Sequence, residues 1–114
     1  MRVAVGALRH RVTVEKAAAV MNARGVETFA YPGDGDFKAW ACVEPIGARI
    51  GDHAAERVPE REYRVTIRYR EGISLHDRVA YGGRLLEQTV PPMDADGRKI
   101  WLQLQCRELA EAGP

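Results

Sequence analysis

The sharpest pattern along this chain is the stretch EYRVTIRYREGI, residues 62–73. Tyr63, Val65, Ile67 and Tyr69 alternate there with Arg64, Thr66, Arg68 and Arg70. A period of two predicts a strand with one buried face, and here the other face carries arginine. RHRVTVEK at 9–16 repeats the pattern, with His10, Val12 and Val14 set against Arg11, Thr13 and Glu15. FKAWACVEPI at 37–46 predicts a further strand, and Pro45 near its end marks an edge or a bend. RVAYGGRLLEQTV reads as a hairpin, because Gly82-Gly83 supplies the positive φ angles of a two-residue turn. Asp96-Gly97 then turns the chain into RKIWLQLQCRE, where Ile100, Leu102, Leu104 and Cys106 share one face.

Three segments fall outside the alternation. Residues 17–36, AAAVMNARGVETFAYPGDGD, start on an alanine run and end in turn residues. They read as a long loop, of a length that is usually functional or disordered. In GARIGDHAAERVPER, residues 47–61, Asp52 fits the cap of a short helix running to about Val58, which Pro59 ends. LAEAGP at 109–114 reads as a flexible tail. No repeat or linker divides the chain. The pattern therefore predicts one domain over 1–114 with a mainly β fold: a small antiparallel β-barrel or sandwich of about six strands, one short helix and long loops.

Composition sharpens this picture in two ways. A chain of 114 residues with 46% apolar content can bury a single core. Its 17 basic and 16 acidic side chains leave a net charge of only +1, without the basic excess of a free-standing nucleic-acid binder. Such a balance suits contacts with other proteins through mixed ion pairs. Cys42 and Cys106 are too few for a disulfide framework. The N-terminus lacks the pattern of a secretory leader, and no apolar run approaches the ~20 residues of a membrane span. The expectation is use, or assembly into something larger, in a reducing cytoplasm, with no membrane partner.

The candidate chemistry is thin. His10, His53 and His76 have no metal-ligand spacing to another His, Cys or carboxylate, so no metal site is read. His10 shares its face with valines, as a core histidine does. The GDG at 33–35 lacks the Lys-Ser/Thr of a phosphate loop. Ser74 is the only serine and has no nucleophile-elbow context. Trp40, Tyr63, Tyr69 and Trp101 are candidate stacking platforms for single strands. Tyr63 and Tyr69, however, lie on the same face as Val65 and Ile67 and suit a core. No catalytic set and no cofactor is read; the chain is expected not to be an enzyme.

Five stretches together carry a family resemblance. They are GALRHRVTVE at 6–15, WACVEPIGAR at 40–49, YRVTIRYREGI at 63–73, DRVAYGGRLLEQ at 77–88 and LQLQCRE at 102–108. Their order and spacing resemble the head–tail joining proteins of long-tailed bacteriophages. These are also called head-completion or stopper proteins, and related ones occur in phage-like gene transfer agents. The resemblance implies a virion protein at the head–tail junction that assembles as a ring, typically of twelve copies. The ring sits beneath the portal or its adaptor, closes the channel on packaged double-stranded DNA, and gives tail proteins a docking surface. It also implies that the connection holding Arg49, Asp52, His53, Glu56, Arg57, Glu60 and Arg61 can project toward the ring axis as a gate; the competing reading of that segment is an exposed helix on the outer rim that meets the tail. Phe29 and Tyr31 in the 17–36 segment, and Arg64, Arg68 and Arg70, are expected at subunit or partner contacts. The alternatives are an OB-like nucleic-acid-binding β-barrel, or another neck component such as a tail terminator. The arginine face has further readings of its own: a cationic collar on DNA, or a solvated edge strand.

Overall fold

Alternation decides the first strand, β1 (His10–Glu15), which buries Val12 and Val14 and leaves Arg11 exposed. The structure is a computed structural model that describes residues 8–53 and 56–109, with the backbone alone between 48 and 60. It holds nine strands and no helix among the described residues: after β1 come β2 (Ala18–Met21), β3 (Glu27–Ala30), β4 (Phe37–His53), β5 (Glu56–Arg68), β6 (Arg78–Tyr81), β7 (Arg84–Gln88), β8 (Met93–Ala95) and β9 (Trp101–Glu108). All pairings are antiparallel. The strands run in the order β5-β4-β1-β6-β7-β9, and β5 pairs again with β9. That last pairing closes a six-stranded barrel, and β8 adds a strand on the free part of β9.

The barrel interior is the core. Val12, Ala41, Val43, Tyr63, Val65, Ile67, Val79, Leu86, Leu102, Leu104 and Cys106 form one buried cluster. Tyr63 reaches out of it with its hydroxyl, which donates to Glu108 Oε1 at 3.3 Å and accepts from Arg84 at 3.1 Å. The β6–β7 hairpin turns at Gly82 and Gly83, with φ of 56° and 80°. A Cβ at Gly83 would meet nothing within 4 Å, so its replacement strains only the backbone. Gly83→Ala is expected to cost about 1–2 kcal/mol, read as a lower urea midpoint with an unchanged slope.

Three expectations change. The short helix at Asp52–Val58 is absent, because β4 continues to His53 and β5 begins at Glu56. Cross-strand pairing overrides the local cap signal there. Pro59 sits opposite Ile50 in a two-stranded segment, where its missing N–H disturbs no third strand. Residues 17–36 are not a structureless loop, since β2 and β3 form a separate two-stranded sheet. The Asn22 side chain builds its turn by accepting from the N–H groups of Arg24 and Val26, with Gly25 at φ 77°. Ile100 does not join the face of Leu102; it is exposed at the turn before β9. The tail expected over 109–114 lies outside the described residues from 110 onward, while Leu109 still donates to Leu85 O at 2.9 Å.

Candidate functional site

The β4–β5 hairpin is much longer than the barrel requires. β1 covers β4 only from Phe37 to Ala41, and β9 covers β5 only from Glu62 to Arg68. From Gly47 to His53 and from Glu56 to Arg61 the two strands pair with each other alone, forming an arm beyond the barrel wall. In the barrel Pro45 faces Tyr63, but in the arm Gly47 faces Glu62, so Ile46 is an extra residue at a bulge.

That bulge decides which residues stand opposite one another in the register. It places Arg49 opposite Glu60, Asp52 opposite Arg57, and His53 opposite Glu56. Without it the barrel register would run on and set Asp52 against Glu56. A slip of one residue the other way would set Arg49 against Arg61. Opposite charges across an antiparallel pair stabilise it by roughly 0.2–1 kcal/mol, and like charges oppose it. The arm therefore carries its own register code. Its three arginines and three carboxylates, Arg49, Arg57 and Arg61 against Asp52, Glu56 and Glu60, leave it neutral.

The arginine face of β5 is occupied differently from a simple solvated edge. The Arg68 guanidinium lies 5.3 Å from the Trp101 ring, and that of Arg70 lies 3.6 Å from the Phe37 ring. On the next strands Arg11 sits 5.0 Å from Trp40. Arg64 stands opposite Glu44 on β4 and Gln105 on β9 in the register. Thr66, expected among the exposed residues of this face, is fully buried and its hydroxyl has no hydrogen-bond partner among the described residues.

Phe29 and Tyr31 lie at the base of the β2–β3 hairpin and have partners within the chain. Phe29 stacks on His76, with centroids 3.9 Å apart and planes 14° from parallel. Tyr31 donates its hydroxyl to His76 O at 2.8 Å and carries the Arg78 guanidinium 3.7 Å above its ring. The large apolar side chains this hairpin shows to solvent are Val20, Met21 and Val26. Sequence reasoning missed them because AAVM is too short to show a period.

Asp77 is the residue that fastens this region, and the sequence offered no cue to it beyond a turn-like SLHD. It is 1% exposed. Its carboxylate accepts from Ala17 N at 2.8 Å, from Ser74 N at 2.9 Å and from Lys16 Nζ. The same Lys16 ammonium donates to Gly72 O. Gln88 Nε2 donates to the carbonyls of Ser74 and Asp77 at 2.7 and 2.8 Å. Burial pushes the Asp77 carboxyl up, but the Ala17 N–H, the Lys16 side chain and the Ser74 N–H outweigh it and hold it below the usual value.

A model of the phage head completion protein family matches residues 3–109. The chain belongs to that family. As a phage head completion protein it is a structural protein of the virion or phage-like particle. Solved structures share its fold, and two of them are similar over most of their length. One is a Shigella flexneri 2a protein solved in solution, 24% identical, covering 96% of this chain and 99% of the other with a TM-score of 0.66. The second is a chain from the virion of a native gene transfer agent particle, 15% identical, covering 89% of this chain and 94% of that one with a TM-score of 0.74. Among curated proteins nothing matches the chain.

The described residues of this head completion protein hold no cluster of three or more His, Cys, Asp or Glu suited to a metal. Both thiols are raised above their ordinary value. Burial pushes Cys106 up to about 12, and burial followed by the neighbouring Glu44 carboxylate raises Cys42. Thiols in that condition are poor nucleophiles.

Proposed function

We propose that copies of this chain close into a symmetric ring, twelve-fold as the family resemblance implies, at the neck between head and tail. The ring meets the portal or adaptor on one side and tail proteins on the other, and its arms close the channel on packaged double-stranded DNA. The observation that carries this reading is the arm. It is an extension outside the barrel with a register of its own and no net charge. A neutral arm neither grips nor strongly repels phosphate, and that suits a barrier through which DNA later slides, since tight phosphate contacts would retard it. Its two outer edges have no strand partner among the described residues, so neighbouring arms can pair across subunits. Head-to-tail contacts that close on themselves are what such a ring requires.

Deleting the gene in a strain that produces the particle tests the reading. Electron microscopy is expected to show DNA-packaged heads that leak or stand alone, beside separate tails. Joined, infectious particles at parental yield would overturn it.

A further inference from the structure

The barrel wall is split at one place. Pairing between β4 and β5 stops at Ala41 opposite Ile67. From there β4 runs back to Phe37 along β1, and β5 runs on along β9, where Tyr69 N donates to Ile100 O at 2.9 Å. A groove of about 750 Å³ opens between them, with Phe37, Ala39, Ile67 and Tyr69 on its apolar floor and Trp40, Arg68 and Arg70 around its mouth. Trp40 is 53% exposed. The groove-side backbone of β4 from Phe37 to Trp40 has no strand partner among the described residues.

Charge gathers here although the chain is nearly neutral. Continuing the β4–β5 register past Ala41 sets Trp40 across from Arg68 and Lys38 across from Arg70. Arg11 stands opposite Trp40 on β1, with its guanidinium 5.0 Å from that ring. Arg11, Arg68 and Arg70 rest on aromatic rings, and none of them has a carboxylate partner among the described residues. A guanidinium stacked on a ring keeps its N–H edge available for a bidentate carboxylate.

We propose that this groove docks an extended acidic peptide segment of another protein in the particle, which pairs with the free β4 edge, seats apolar side chains on the floor and offers carboxylates to Arg68, Arg70 and Lys38. The open backbone edge selects a peptide over nucleic acid: phosphates would satisfy the arginines and an unpaired base could stack on Trp40, but nothing in DNA would pair with the strand. Strand addition of this kind takes its affinity from the main chain and its specificity from alternate side chains.

Fluorescence anisotropy of the isolated chain tests the proposal without requiring a ring, so a failure of the ring reading leaves it standing. The probes are a labelled short peptide of alternating Glu and Leu, its Gln counterpart, and an oligothymidylate of equal charge. The Glu peptide is expected to bind at least about tenfold tighter than the Gln peptide, and Arg68→Gln with Arg70→Gln to lose about that factor, the size of one charge-assisted hydrogen bond. Lys38→Glu, which touches neither stacked ring, is expected to weaken binding in the same direction, and Arg24→Gln on the distant hairpin turn to leave it unchanged. Equal affinity for both peptides, tighter binding of the oligonucleotide, absence of binding, or indifference to all three groove substitutions would each overturn the assignment.

Discussion

Asp77→Ala is expected to lower the unfolding free energy by about 3 kcal/mol, the lower end for breaking a buried ion pair because Lys16 reaches solvent. For a domain of this size that is a fall in Tm of roughly 10–20 °C. The carboxylate is the common acceptor for three donors that come from two distant parts of the chain, Lys16 and Ala17 on one side and Ser74 on the other. Removing it strands the Ala17 and Ser74 N–H groups next to a lysine that has lost its counter-charge. Asp77→Asn keeps the volume and one accepting oxygen and is expected to fall between the parent and the alanine variant.

The same residue sets a pH dependence. Its folded pKa is depressed, so its contribution is present above the unfolded carboxylate value of about 4 and is lost as pH falls through the folded value. The stability gap between parent and Asp77→Asn is therefore full at neutral pH and shrinks in acid. Urea unfolding at both ends of that range reads it. A gap that does not change with pH would mean that the carboxylate's charge contributes nothing.

Removal of the arm is expected to have the opposite profile: small for folding, large for function. Ala48 stands directly opposite Arg61, so an Asn-Gly turn can replace residues 49–60 and close the hairpin just beyond the bulge. Among the described residues, 49–53 and 56–60 pair only with each other. Unfolding free energy is expected to stay within about 1 kcal/mol of the parent, the scale of surface changes. Particles carrying the shortened chain are expected to package DNA and then fail to hold it, read as a loss of DNA-filled heads by electron microscopy and nuclease protection. Full retention of DNA by particles that contain the variant would remove the arm from channel closure and leave it as a docking rim.

How much of this was legible in the chain differs element by element. Strict alternation in RHRVTVEK and EYRVTIRY named β1 and the barrel part of β5, because one buried face imposes a period of two wherever a strand lies. Gly82-Gly83 named the β6–β7 turn, because glycine accepts successive positive φ angles without strain. The core face of β9 and the mainly β class followed in the same way. β2, β3 and β8 were silent, since three or four residues cannot display a period. The arm was misleading: Asp52 and Pro59 are as good a helix start and stop as they are strand residues, and local signals could not weigh them against pairing partners along the hairpin. Even there the charges already encoded a register, but reading it required knowing that Ile46 is a bulge, which is a property of two strands together. Asp77 shows the limit most plainly. Its burial and its three donors exist only because barrel closure brings residues 16 and 77 side by side, 61 positions apart. The groove has the same origin: Trp40 and Arg68 were visible as residues, but the gap between their strands is made by β4 following β1 while β5 follows β9. Local chemistry sets which face of a segment is buried; only the closed tertiary pairing sets what stands beside it.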